Sequence, residues 1–191
     1  MDWLNKVEKY SILLSSLEIT GVDGAPLKSD NGFEKLKELL LNVRKSNATV
    51  YAIGNGASAS MASHFSADLA KNGRLHTQVF SDLALITAIS NDIGYDEVFS
   101  EPLRRRATEN DLLIAISSSG NSRNIINAAG TAKSLGVTTV TISAMDPNNK
   151  LRAMGDVNLY VPAKTYGDAE TCHAAILHYW IDLLVCNAVM P

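Results

Sequence analysis

The 191-residue chain has no run of apolar residues approaching the ~20 needed to cross a bilayer. It has no run of Lys or Arg and no aromatic-basic stripe, and its formal net charge is −3, so it carries no electrostatic footprint for nucleic acid. The densest basic spot, Arg104-Arg105-Arg106, reads as a solvated helix face, because three adjacent residues cannot share one side. Cysteine is scarce. Cys172 and Cys186 fall in one expected C-terminal helix, about 21 Å apart at the helical rise, so they cannot pair and read as buried small hydrophobes. The opening Met1-Asp2-Trp3-Leu4-Asn5-Lys6 lacks the basic start and apolar core of a signal peptide. These absences predict a chain of the reducing cytoplasm, with neither a membrane nor a direct nucleic-acid partner.

What is present is an ordinary globular mixture, 46% apolar and 19% charged, with no repeat and no composition break. One domain over residues 1–191 is expected. Apolar spacing predicts helices over 3–19 and 31–46, separated by a turn-like Gly21–Pro26. From residue 47 short apolar runs alternate with helical ones: Thr49–Ile53 then 58–71, His76–Phe80 then 84–91, Asp111–Ile116 then 122–135, Val137–Ser143 then 148–154, and Val157–Val161 then 168–189. That alternation predicts a three-layer α/β/α sandwich around a mostly parallel five-stranded sheet, preceded by two helices. Those leading helices (1–46) either pack on the 47–191 core or build a subunit interface. The apolar C-terminal helix, apolar on more than one side, favours the interface.

Two strand-to-helix junctions carry the chemistry. After Tyr51-Ala52-Ile53 comes Gly54-Asn55-Gly56-Ala57-Ser58, with a helix opening near Ser58. Glycines bring backbone N–H groups close to an anion, and the helix N-terminus adds free donors and partial positive charge. Alone, this loop also fits the relaxed dinucleotide fingerprint through Gly54, Gly56 and Ala59, with Asp82 as the ribose carboxylate. The second junction argues against that reading. After Leu112–Ile116 stand Ser117-Ser118-Ser119-Gly120-Asn121-Ser122, four hydroxyls and a glycine, and then another helix. Two anion-ready loops at the carboxyl edge of one sheet can hold a phosphomonoester from both sides without a Lys.

Two helices offer acid–base groups. His64 and Asp68 are i,i+4 and share a face. Glu170 and His178 are eight apart, about 80° around their helix. Together they could supply a base, an acid, or a metal site of two histidines and two carboxylates. His173 reads as packing or a subunit contact, Asp92 as a sugar contact or a cap, and Tyr166-Gly167 as a turn.

The pairing of Gly-Asn-Gly-Ala-Ser with Ile-Ser-Ser-Ser-Gly-Asn-Ser resembles the sugar isomerase (SIS) domains, which have a flavodoxin-like fold. The resemblance also takes in Ser63-His64-Phe65, Ala88-Ile89-Ser90-Asn91-Asp92, Gly94-Tyr95, Val98-Phe99 and Glu170…His178. The His64 and His178 features are the narrower ones and resemble the phosphoheptose isomerases, which interconvert sedoheptulose 7-phosphate and D-glycero-D-manno-heptose 7-phosphate. The resemblance implies one zinc per subunit on His64, Asp68, Glu170 and His178. It implies Asp68 as base and His178 as acid. It implies sugar contacts at Asn55, Gly56, Ala57, Ser58, Asn91, Asp92 and Glu170, and phosphate contacts at Ser117, Ser118, Ser119 and Ser122. It also implies a homotetramer, with sites completed by neighbouring subunits. The family usually has Glu where this chain has Asp68. Glu170 stands where Gln is common, and Asp168 where Arg is common, which predicts a more acidic pocket. Some relatives with this fold act as adaptors, one of them in starting DNA replication. This chain retains the acid–base set that such adaptors can lose.

Overall fold

The computed structural model describes residues 2–186. Seven strands make one sheet: β1 (Glu18–Gly21), β2 (Pro26–Leu27), β3 (Thr49–Ile53), β4 (His76–Gln78), β5 (Leu112–Ser117), β6 (Thr138–Ala144) and β7 (Val157–Val161), in the order β2-β1-β7-β6-β5-β3-β4. The five strands β3 to β7 pair in parallel, as the alternating pattern predicts. The strand count of five is corrected to seven by an antiparallel hairpin, β1–β2, that extends the sheet beyond β7. The sequence pattern runs the first helix through residue 19 and leaves 21–26 as a turn. Instead helix α1 (Trp3–Ser15) stops early, and Ile19 is buried on the added strand. The partner of β1 is far along the chain, at Val157–Tyr160, so no local signal announces it.

The remaining helices are α2 (Ser29–Ser46), α3 (Ala57–Lys71), α4 (Leu83–Asp92), α5 (Ser100–Arg106), α6 (Arg123–Ser134) and α7 (Tyr166–Val185). The segment 148–154, expected as a helix, forms only the 3-10 turn Lys150–Ala153. The solvated helix face expected at Arg104–Arg106 is the last turn of α5, whose start at Ser100 was not anticipated. Successive residues of a strand face opposite sides of the sheet. Leu112, Ile114 and Ile116 of β5 pack with Leu36 and Leu40 of α2, Phe65 and Leu69 of α3, and the buried side of α7. Leu113 and Ala115 pack the other way, against Ile89 of α4, Leu103 of α5 and Ile125 of α6. The three-layer arrangement is therefore present, with one apolar core on each face.

Helix α7 is held through Cys172, Ile176, Trp180 and Leu184 at four-residue spacing, all buried. Burial of Ile176 and Leu184 contributes about 1.5–3 kcal/mol each. Cys186 lies just past the helix and is exposed, which corrects the expectation that both cysteines are buried. The end of the expected 168–189 helix lies outside the described residues. Among those residues, no helix is long and apolar enough to cross a membrane. Helix α1 packs on α7 and buries Leu13, while Trp3, Leu4, Val7 and Ile12 remain exposed.

Candidate active site

Strand order reverses between β3 and β5: the chain leaves β3 toward β4 on one side, and β5 continues to β6 and β7 on the other. Crevices at such switch points are where open parallel sheets bind ligands. Both singled-out loops sit there, at the carboxyl ends of these two neighbours. Gly56 caps α3 at φ 55° and ψ −124°, a conformation that side-chain-bearing residues rarely adopt. No chain acceptor among the described residues meets the N–H groups of Gly56 and Ala57. Gly120 turns the second loop at φ +62°, and a Cβ there would sit 1.9 Å from Asn149 Oδ1.

The loops enclose a cleft of about 260 Å³ lined by Asn55, Gly56, Ala57, Ser58, Ile116, Ser117, Ser118, Ser119, Ser122, Tyr166 and Glu170. Eight of these are the expected loop residues, and Glu170 joins them from the first turns of α7. Among the described residues, no Lys or Arg lines the cleft. Ser118 Oγ is buried without a partner, while Ser117 Oγ donates to Ser122 Oγ at 3.4 Å. The second loop is fixed from behind. Ala144 N–H donates to Ser118 O at 3.1 Å, Leu151 N–H to Gly120 O at 3.0 Å, and Lys150 N–H to Asn121 Oδ1 at 3.2 Å. Asn149, itself buried, donates through Nδ2 to Asp146 O at 2.8 Å.

Farther along α3 lies a second cleft, of about 220 Å³, lined by Ser60, Met61, His64, Phe65, Asp68, Ala174, Leu177 and His178. Asp68 Oδ2 lies 3.5 Å from His64 Nε2 and 4.0 Å from His178 Nδ1. The three ligand atoms are within 4.8 Å of one another. Two imidazoles and one carboxylate at this separation form a set that could hold a metal ion, with a position open to a further ligand. Glu170 is not among the three. Eight residues of helix separate it from His178, about 12 Å along the axis. The two side chains share a direction but not a height, and Glu170 meets the loops instead.

Asn91 and Asp92, at the end of α4, bond to each other, Asn91 Nδ2 to Asp92 Oδ1 at 2.9 Å. Asp92 borders a separate cleft with Arg105 and Arg106 and does not line the loop cleft. It ends α4 and does not cap a following helix. Asp82, the ribose carboxylate of the dinucleotide reading, is instead the α4 N-cap, accepting Leu85 N–H at 2.8 Å. Asp168 does not acidify the pocket. Its side chain is fully buried beneath α1, where Lys6 and Lys9 both donate to it, Lys9 at 2.5 Å. The two ammonium groups hold its carboxyl far below the usual range. His173 is buried and makes a 3.2 Å hydrogen bond between Nε2 and Ser143 O, and burial pushes its pKa down to about 4. Tyr166 is the first residue of α7, capped by Thr165, and lines the loop cleft. Sequence reasoning missed Asn124, whose amide pairs with that of Asn55, and Tyr95, whose O–H donates to Asn55 Oδ1 at 3.1 Å.

A parallel sheet with paired anion-accepting loops at its switch point and a His-Asp-His group beside them defines a phosphate-ester-binding α/β domain equipped for acid–base chemistry. Comparison with known proteins narrows the class. Residues 27–144 match the SIS domain family. The chain is 36% identical over 152 residues to a phosphoheptose isomerase of Helicobacter pylori (strain Shi470), covering 76% of this chain and 79% of that protein. The structure of the phosphoheptose isomerase GmhA from Neisseria gonorrhoeae superposes with a TM-score of 0.77 at 30% identity, over 94% of this chain and 91% of that one. A phosphoheptose isomerase from Francisella tularensis shares the fold, with a TM-score of 0.81 at 22% identity over 98% of this chain and 100% of that one. The chain belongs to the SIS-domain family and, within it, to the phosphoheptose isomerases.

Proposed function

We propose that this chain is an enzyme that interconverts sedoheptulose 7-phosphate and D-glycero-D-manno-heptose 7-phosphate by moving a proton between C1 and C2 through an enediol. The observation that carries the reading is the placement of His64, Asp68 and His178 one cleft along from the serine loop. From the start of α3 at Ala57 to His64 is seven residues, about 10 Å of helix. A phosphate on C7 lies about 8–10 Å from C1 when the six ~1.5 Å carbon–carbon bonds are extended. The spacing of the two clefts therefore suits a seven-carbon sugar phosphate.

The phosphate is received by the N–H groups of Gly56 and Ala57, by Ser58, and by the hydroxyls of Ser117, Ser118, Ser119 and Ser122. Asn55 donates to the sugar phosphate, and Glu170 accepts sugar hydroxyls. The Asp68 carboxylate removes the proton from C2 of the aldose while His178 gives a proton to O1, forming the enediol. The proton on O2 is then withdrawn and C1 is reprotonated, giving the ketose. The His64-Asp68-His178 set fits zinc by donor type, and zinc held there would polarise the substrate carbonyl. Glu170, the fourth ligand that the resemblance implies, faces the loops, so its role here is with substrate.

Neither Asn91 nor Asp92 lines the loop cleft, which suits a homotetramer in which they serve a neighbouring subunit. The exposed Trp3, Leu4, Val7 and Ile12 of α1 supply an apolar surface for such an assembly. The enzyme is placed in the cytoplasm, where sugar phosphates are made and used. Sedoheptulose 7-phosphate incubated with the purified protein should give aldoheptose phosphate, followed by NMR. Inactivity on heptose, hexose and pentose phosphates alike would overturn the proposal.

A further inference from the structure

Asn124 is the second residue of α6 and is 2% exposed. Its Oδ1 accepts the N–H of Ile125 at 3.0 Å. A backbone N–H can only donate, so this bond fixes which end of the Asn124 amide is oxygen. The same Oδ1 accepts Asn55 Nδ2 at 2.9 Å, and Asn124 Nδ2 donates to Asn55 Oδ1 at 2.9 Å. The two amides thus form a closed reciprocal pair whose polarity is set by the backbone of α6. Tyr95, from the turn after α4, adds a third bond by donating to Asn55 Oδ1 at 3.1 Å. Both interactions on Asn55 Oδ1 are received, so the remaining Nδ2–H is its unused polar group. Asn55 borders the loop cleft.

We propose that Asn124 is a positioning residue for the isomerase reaction: by locking the amide of Asn55, it sets the separation of the two phosphate-side loops and makes Asn55 a hydrogen-bond donor toward the sugar phosphate. The inference rests on the sugar-phosphate reading of the loop cleft. Asn55 belongs to the first loop, and Asn124 to the first turn of the helix that the second loop feeds. The pair is the direct side-chain link between them, spanning 69 residues of sequence. Removing the Asn124 amide frees Asn55 to rotate and to present its oxygen, which would face the phosphate oxygens unfavourably. Tyr95 acts on the same atom from the exposed side and has a smaller share.

The test is a double-mutant cycle read in KM and kcat for sedoheptulose 7-phosphate, with the dissociation constant of inorganic phosphate measured alongside by calorimetry. Asn124→Ala is expected to raise KM and the phosphate dissociation constant about tenfold while kcat changes less than about threefold. In an Asn55→Ala background the same change should alter KM less than about twofold, because the partner it acts through is gone. Tyr95→Phe, which removes only an exposed hydroxyl, should raise KM about two- to threefold in the intact chain and not at all with Asn55→Ala. It keeps the proposal testable if Asn124→Ala fails to fold. Additive effects in the cycle, or unchanged KM and phosphate binding in both single variants, overturn the proposal. An inactive wild-type protein that binds no phosphate would instead overturn the function on which it rests.

Discussion

The loop cleft and the His-Asp-His cleft are neighbours built on opposite plans. The loop cleft is made of backbone N–H groups and small hydroxyls, and it is braced by bonds from distant parts of the chain, at Asn124, Ala144 and Leu151. Glu170 is its one charged lining residue. The second cleft is made of long side chains on α3 and α7, over the apolar Met61, Phe65 and Leu177. Its histidines are exposed, at 65% and 56% of their side-chain surface, and lie 3.5 and 4.0 Å from Asp68 Oδ2. In the proposed reading, phosphate binding is thus a property of the fold, whereas the chemistry resides in three replaceable side chains. Substitutions should separate the two functions.

The widest separation is expected from Asp68→Asn. The amide keeps the size of the carboxylate but cannot take a proton from carbon, so turnover should fall about 10³-fold. The loop cleft does not include Asp68, so calorimetry should show phosphate binding unchanged within about twofold. Loss of both would mean that the clefts are not separable.

Acid should act on what holds α7 between the two clefts. Neutral His173 is buried against Ser143 O, with its pKa near 4 against 6.5 in the unfolded chain. Below pH 6.5 the unfolded state binds a proton that the folded state does not, so stability is complete above that pH and falls as pH drops toward 4. The loss amounts to about 3 kcal/mol over the window. Asp168, paired with Lys6 and Lys9, has a lowered carboxyl pKa and adds a second loss that begins only as pH falls through its unfolded value of 3.8. Urea denaturation at stepped pH should show both slopes. His173→Gln should flatten the upper one and leave the lower.

Gly120→Ala attacks the loop side alone. The new methyl would occupy the place of the Asn149 amide and require a left-handed backbone for alanine. A stability loss of about 2–3 kcal/mol is expected, with weakened phosphate binding. The zinc uptake proposed at His64, Asp68 and His178, followed by calorimetry, should persist in the folded fraction.

The same contrast explains what the sequence revealed. The five parallel strands and both loops were legible because their signals are local: β-rich runs, glycines at sharp turns, and serines before a helix. His64 and Asp68 were legible as neighbours one helical turn apart. Features that depend on distant partners were not. The β1–β2 hairpin needs β7, Asn124 needs Asn55, and Asp168 needs Lys6 and Lys9. Glu170 and His178 matched in angle, but angle alone ignores the rise along α7 that puts them in different clefts. The short α5 carries Pro102 in its first turn and too few residues to display a period.

Glu170 gives the smallest and most discriminating effect. Among the described residues it is the one charge lining a cleft proposed to receive a dianion, with no cation beside it to offset it. At the several-ångström separations that the cleft allows, repulsion in a partly solvated site is about 0.5–1 kcal/mol. Glu170→Gln should therefore tighten phosphate binding about two- to fivefold. Because the effect is electrostatic, added salt should improve binding to the native protein and close the gap with the variant. Because Glu170 is also proposed to accept sugar hydroxyls, the variant should bind inorganic phosphate better yet show a raised KM for sedoheptulose 7-phosphate. Measuring both ligands at low and high salt separates charge from hydrogen bonding at this single position. A gap between native and variant that ignores salt would show that the phosphate does not sit beside this carboxylate.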